Sequence, residues 1–156
     1  MEYVLDTSVV IPILQDNEPG QYCTDNFQLA SPETVVYISR VTVGELRAFA
    51  QRSWGDRRQA DLEDWIANTL IIEINKPAVF DAYVELEIAR HKPPTNGRTL
   101  GKNDLWIAAT AVGANVELLT FDKGFDAMAD VYHVQGYRII VHDDRSISHR
   151  PLGTQS

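Results

Sequence analysis

The sequence has a single cysteine, no long apolar run and few basic residues. Cys23 is the only cysteine among 156 residues, which excludes an intrachain disulfide and favours a reducing compartment, the cytoplasm. No apolar stretch approaches the length of a bilayer-spanning helix, and the first residues lack the basic lead of a signal peptide, so we expect no membrane association. The formal net charge of -8 argues against a protein held on nucleic acid by its overall field. It does not exclude a nucleic-acid enzyme whose acids are gathered in a metal site.

Two common kinds of chemical motif are also missing from the sequence. The four histidines do not have the spacing of zinc ligands. No glycine-rich segment fits a nucleotide-binding fingerprint. The sequence therefore gives no indication of zinc chemistry or of a phosphate-cradling loop.

Apolar runs of β-prone residues alternate along the chain with segments of helical periodicity. This alternation predicts the α/β class, with a mostly parallel sheet and helices on both of its faces. We expect a single domain over residues 1–142 and a loose polar tail over residues 143–156. The expected strands are 3–5, 35–39, 70–74, 116–120 and 137–141, and the expected helices begin near residues 9, 19, 42, 57, 77, 102 and 125.

Four acidic residues lie where ligands bind in such a sheet, at the carboxyl ends of its strands. Asp6 directly follows the first strand, and Asp122 follows the fourth by one residue. Glu45 and Asp104 lie in the first turns of helices beside the second and fourth strands. Carboxylates that converge repel one another, and a divalent cation relieves this repulsion. Hard oxygen ligands favour Mg²⁺ or Mn²⁺, so the sequence indicates such a site.

Each of these acids also has a purely structural interpretation. Asp6 can serve as an Asx-type helix cap, and Asp122 can serve as a turn residue. Glu45 completes a capping box with Thr42, and Asp104 can complement a helix dipole. Each structural role is common for a single acid. Four independent caps need not all fall at one edge of one sheet, so the four together favour the metal site.

Four short motifs contain the four acids. They are Leu5-Asp6-Thr7-Ser8, Val43-Gly44-Glu45-Leu46, Asn103-Asp104-Leu105-Trp106-Ile107-Ala108-Ala109 and Leu119-Thr120-Phe121-Asp122-Lys123-Gly124-Phe125. These motifs resemble those of the PIN-domain ribonucleases, and most of all those of the VapC-type toxins of prokaryotic toxin–antitoxin modules. Each motif alone is weak, but their order and spacing match the family from Asp6 to Phe125.

The resemblance implies a PIN-like three-layer α/β/α sandwich with an acidic metal site for Mg²⁺ or Mn²⁺. Thr7 and Thr120 match small hydroxyl positions that support this site. Gly124 stands where many relatives carry a further Asp, and Asp126 is a candidate substitute from two residues later. Whether one or two ions bind stays open. The implied metal ligands and catalytic residues are Asp6, Glu45, Asp104 and Asp122.

The implied activity is metal-assisted hydrolysis of RNA phosphodiester bonds by water, which leaves 5′-phosphate and 3′-hydroxyl ends. Arg98, Lys102 and Lys123 are candidates for phosphate contacts, and the alternative for each is a solvated surface charge. The resemblance also implies a cognate antitoxin and a homodimer as partners. Two other interpretations remain: a non-toxin PIN-like nuclease in RNA maturation, and a catalytically inactive PIN-like binding module.

Overall fold

The sheet that organises the protein has six strands in the spatial order β3-β2-β1-β4-β5-β6. The computed structural model describes residues 1–92 and 101–153. Strands β1 to β5 run parallel, and β6 pairs antiparallel with β5. The strands are β1 Glu2–Leu5, β2 Val35–Ser39, β3 Leu70–Ile72, β4 Glu117–Thr120, β5 Gly136–Val141 and β6 Ile147–Pro151.

Seven helices connect the strands within the described residues. No helix in this part of the chain is long and apolar enough to cross a membrane. The helices are α1 Thr7–Gln15, α2 Glu18–Asn26, α3 Arg40–Ser53, α4 Asp56–Ala67, α5 Pro77–Ala89, α6 Lys102–Ala114 and α7 Gly124–Val131.

Two hydrophobic cores lie on opposite faces of the sheet, because side chains alternate in direction along each strand. Val4 and Leu118 belong to a core that is completed by α5, α6 and α7. Tyr3, Leu5 and Leu119 belong to the other core, which is completed by helices α1 to α4. The predicted α/β/α sandwich with a mostly parallel sheet is therefore confirmed.

Two helices begin two residues earlier than the sequence pattern predicts. We expected α1 to start near Val9 and α3 near Thr42, whereas they start at Thr7 and Arg40. The hydroxyl of Ser39 accepts a hydrogen bond from the backbone N–H of Val41 at 3.2 Å, so Ser39 is the N-cap. Thr42 is buried inside the helix and does not cap it, so the capping box that was an alternative role for Glu45 does not form.

The prediction of a loose tail after residue 142 is wrong for residues 147–151. These residues form β6, which pairs with β5 from Tyr137↔Pro151 to Val141↔Ile147. The physical reason is a buried ionic contact that the strand pattern does not reveal. Arg150 of β6 donates to the Asp126 carboxylate at 2.8 Å, and Asp126 is only 3% exposed. The sheet therefore continues beyond the predicted boundary.

Candidate active site

The parallel pairing of β1 with β4 places the first acid. Leu5 lies opposite Leu119, and the backbone N–H of Asp6 donates to the carbonyl of Leu119 at 3.0 Å. The residues that follow, Asp6 and Thr120, are consequently neighbours at the carboxyl edge of the sheet. The Thr120 hydroxyl donates to Oδ2 of Asp6 at 2.7 Å, and both residues are buried.

Asp6 occupies the N-cap position of α1, but its side chain makes no capping hydrogen bond. Its Oδ2 instead accepts a second hydrogen bond, from the Ser8 hydroxyl at 2.6 Å. Burial raises the pKa of Asp6, and the negative charges of Glu45 and Asp122 raise it further, against the lowering effect of the two hydroxyls. The structure thus does not use Asp6 as an Asx-type cap.

Glu45 is held between helices rather than at the start of its own helix. Its Oε1 accepts a hydrogen bond from the Thr7 hydroxyl at 2.7 Å, across from α1. Its Oε2 accepts one from the side-chain amide of Asn103 at 3.4 Å, across from α6. These contacts bring the α3 acid to the same edge as Asp6.

Asp104 is affected by its burial and by all three of the other acids. Burial raises the pKa of its carboxyl to about 7, and the charges of Asp6, Asp122 and Glu45 contribute to this rise. A hydrogen bond from the backbone of Gly101, the N-cap of α6, opposes it, so Asp104 also serves the start of its helix. The four predicted acids therefore lie close enough for their charges to interact.

Asp122 is exposed and is attached to the site through Thr120. Its backbone N–H donates to the Thr120 hydroxyl at 2.9 Å, the same hydroxyl that donates to Asp6. Its Oδ1 accepts a hydrogen bond from the backbone N–H of Gly124 at 2.8 Å. Asp122 therefore acts as a turn residue through Oδ1, as its structural interpretation predicts. It also belongs to the acidic cluster, because its charge raises the pKa of Asp6 and Asp104.

The prediction that Asp126 replaces an acid of the metal site does not agree with the structure. Arg138 and Arg150 donate to its Oδ2 at 2.7 and 2.8 Å. The backbone N–H of Gly153 donates to its Oδ1 at 3.0 Å. Both oxygens thus bind the C-terminal strands, and Asp126 is not among the charges that raise the pKa of Asp6 or Asp104.

Ser8 and Asn103 contact acids of the site but were not predicted from the sequence. Ser8 donates to Asp6 and also accepts from the backbone N–H of Phe121 at 3.1 Å, so it joins α1 to the end of β4. Asn103 reaches Glu45 from α6. Their positions beside Asp6 and Asp104 were the available signal, because short polar side chains next to a site acid are placed to contact its neighbours.

The three basic residues predicted to contact phosphate differ in their surroundings. Arg98 lies outside the described residues. Lys102 is an exposed side chain that forms an ion pair with Glu87 at 3.5 Å. Lys123 follows Asp122 and is exposed. Phosphate binding by these residues stays a prediction.

The four carboxylates suit a hard divalent cation in their chemistry. They supply only oxygen donors, and their mutual repulsion is the kind that a cation relieves. Within residues 1–92 and 101–153, however, no three His, Cys, Asp or Glu side chains form a ready-made ligand set. Hydrogen bonds from Thr7, Ser8 and Thr120 hold two of the acids in their present rotamers. Asp6, Glu45, Asp104 and Asp122 would hold such an ion only after these side chains moved closer together.

Comparison with known families agrees with this arrangement of the sheet and helices. Residues 3–131 match the PIN domain, and the chain belongs to that family. The matched region includes all four acids and ends before β5 and β6.

Individual relatives extend the comparison. Ribonuclease VapC2 of Rickettsia felis is 27% identical over 121 residues, which cover 77% of this chain and 86% of the relative. The structure of VapBC-1 from nontypeable Haemophilus influenzae matches with a TM-score of 0.67 and 25% identity, over 84% of this chain and 95% of that chain. VapBC2 from Rickettsia felis, bound to a DNA fragment from its promoter, has a similar fold, with a TM-score of 0.69 and 23% identity over 86% and 96% of the two chains.

Proposed function

We propose that this protein is a metal-dependent endoribonuclease that acts as the toxin of a toxin–antitoxin pair. The observation that carries the proposal is the convergence of four carboxylates at the carboxyl edge of the sheet, where burial and the charges of the other three acids raise the pKa of Asp104 to about 7. The similarity to a protein named as a ribonuclease supports RNA as the substrate. Membership of the PIN-domain family supports the same reaction class.

Asp6, Glu45, Asp104 and Asp122 would hold the metal, for which we propose Mg²⁺ or Mn²⁺. When bound, such an ion supplies Lewis acidity that activates water and stabilises the charge developing on the phosphate. Water adds to phosphorus as the bond to the 3′ oxygen breaks, so the products carry 5′-phosphate and 3′-hydroxyl ends.

The hydroxyl and amide side chains have a positioning role in this proposal. Thr120 and Ser8 fix the orientation of Asp6, and Thr7 and Asn103 fix that of Glu45. Partners of this kind orient metal ligands and tune their basicity.

An RNA-cleavage assay with Mg²⁺ or Mn²⁺ tests the proposal. The native chain is expected to cleave single-stranded RNA, to lose this activity with a chelator, and to leave 5′-phosphate ends. Asp6→Ala is expected to be inactive because it removes the most deeply buried acid of the cluster. A 2′,3′-cyclic phosphate product, or equal cleavage by the native and Asp6→Ala proteins, would contradict the proposal.

Thr120→Val removes one hydroxyl that bonds to both Asp6 and Asp122. We expect kcat for RNA cleavage to fall about 10- to 100-fold, the usual cost of losing a group that orients a metal ligand. Thr110→Val is the matched control, because Thr110 is also fully buried and hydrogen-bonded, to Ser39 and to the carbonyl of Trp106. Both variants should lose stability, but only Thr120→Val should lose activity. Equal kcat values for the two folded variants would remove Thr120 from the site.

The partner proposals rest on separate observations. The similar structures from Haemophilus influenzae and Rickettsia felis are those of VapBC assemblies, which supports a cognate antitoxin as a partner. For the homodimer, helix α5 supplies an apolar stripe of residues four apart. Phe80, Val84 and Ile88 are 52%, 42% and 55% exposed, an arrangement suited to burial against a second copy.

The retained acids favour an active enzyme over an inactive binding module. Gly124 departs from the expected pattern, but Asp6, Glu45, Asp104 and Asp122 all remain together. Four carboxylates that repel one another are costly to keep without a cation to bind.

A further inference from the structure

An open groove of about 510 Å³ extends from the acidic site along α3. Gly44, Ala48 and Arg52 are four residues apart and share one face of this helix. Glu45 and Asn103 line the end of the groove that belongs to the acidic site. The groove is thus continuous with the acids and has Arg52 among its lining residues.

The middle of the groove is made by small residues. Gly44 and Ala48 are exposed, and a Cβ added to Gly44 would meet no atom within 4 Å. The fold therefore does not require glycine here for packing. The missing side chain leaves space above α3 for a ligand to lie.

Arg52 differs from the other arginines of α3 in having no partner among the described residues. Arg47 is held by Glu63 at 2.8 Å, and Arg40 is held by Glu73. Arg52 is exposed and forms no hydrogen bond or ion pair with residues 1–92 or 101–153. Its guanidinium is therefore available to an anion in the groove.

We propose that this groove carries the RNA strand away from the acidic site and that Arg52 binds one of its backbone phosphates. The inference rests on the proposed function. Arg52 is seven residues beyond Glu45, which is about 10 Å along the helix axis and a separation that a few nucleotides span. A guanidinium without a partner is a strong donor to phosphate oxygens. The protein's net charge of -8 does not attract RNA as a whole. A phosphate must therefore be bound by a basic side chain that lies close to the RNA, as Arg52 does in this proposal.

The test compares Arg52→Gln with Arg57→Gln. The two substitutions change the net charge equally, and Arg57 is exposed on α4 but does not line the groove. Binding of fluorescent single-stranded RNA is measured by anisotropy with Asp104→Asn in every protein, so that cleavage does not interfere. We expect Arg52→Gln to weaken binding about 3- to 10-fold, as the loss of one phosphate contact should. The slope of log K against log salt should fall by about 0.7. Arg57→Gln should leave both quantities as in the parent.

Gly44 provides a second test that does not involve charge. Gly44→Ala and Gly44→Gln remove the same glycine from the helix, but only glutamine extends far into the groove. We expect KM for RNA to rise slightly with alanine and more strongly with glutamine, while both variants unfold at a higher urea concentration because glycine is a poor helix former.

Two results would overturn the inference: equal RNA affinity of Arg52→Gln and Arg57→Gln, or a Gly44→Gln protein with the parent KM. In either case the native chain would still cleave RNA, so the proposed function would stand. A native chain that cleaves no RNA would instead reject the proposed function. Binding of a fluorescent acidic peptide that Arg52→Gln weakens, with no binding of RNA by the parent, would assign the groove to a protein partner and also reject the inference.

Discussion

Asp104→Asn is expected to abolish RNA cleavage and, in the absence of metal, to make the protein more stable. The activity should fall by about 10³-fold or more, because an amide is a poor replacement for a carboxylate that binds a divalent cation. The stability increases because the substitution removes a carboxylate whose charged form is disfavoured by burial and by three neighbouring acids. Activity and stability therefore change in opposite directions.

The sign of the pH dependence follows from the raised pKa of Asp104. The folded protein holds this proton up to about pH 7, whereas the unfolded chain releases it near the ordinary value of 3.8. Between these values the folded state binds more protons, so the wild-type free energy of unfolding falls as pH rises. The Asp104→Asn protein does not lose stability with pH in this way. Its free energy of unfolding should exceed that of the wild type only slightly near pH 4 and by about 1–2 kcal/mol above pH 7. This figure is reduced for solvent screening because Asp104 is only half-buried.

Urea denaturation in chelator across this pH range measures the difference. Asp61→Asn is the control, because Asp61 is an exposed acid of α4 that contributes to neither raised pKa in the cluster. It should show neither the pH-dependent gain nor the loss of cleavage. A stability difference between Asp104→Asn and wild type that stays constant with pH would contradict the assignment of Asp104 to a repulsive cluster.

Asp126→Ala is expected to cause the largest loss of stability among the substitutions considered. It leaves the guanidinium groups of Arg138 and Arg150 without their shared carboxylate and releases the backbone N–H of Gly153. Removal of one partner from a buried ion pair costs about 3–5 kcal/mol, and the lower end applies because Arg150 is partly exposed. Urea denaturation at neutral pH measures this cost.

The control for Asp126→Ala is Asp25→Ala, which removes an exposed acid of α2 and should change stability little. Below its unfolding transition, Asp126→Ala is expected to retain the metal affinity of the wild type, since Asp126 faces β5 and β6. A variant with unchanged stability but weakened metal binding would restore the interpretation of Asp126 as a member of the metal site.

The sequence was sufficient to predict the positions of the acids because a topological rule governs them. Residues after parallel strands meet at one edge, and Asp6 and Asp122 follow strands that are adjacent in the sheet. This rule does not predict the hydrogen bonds that fix the orientation of each carboxylate. The contact of Glu45 with Thr7 joins residues 38 positions apart and depends on how α1 packs against α3.

The C-terminal strand was missed for a related reason. Residues 147–151 are mostly polar, and local propensity alone does not predict a strand there. The strand is held by Arg150, whose partner Asp126 lies 24 residues earlier. The same contact explains why the proposed metal role of Asp126 failed, since its carboxylate is committed to β5 and β6.

Calorimetric titration of Mn²⁺ into the native protein tests most directly whether the clustered acids bind a divalent ion. The native chain and Asp61→Asn are expected to bind Mn²⁺ with the same affinity, and Asp104→Asn and Asp122→Asn to bind it at least about tenfold more weakly. A native chain that binds no Mn²⁺, or four proteins with the same affinity, would contradict the metal site.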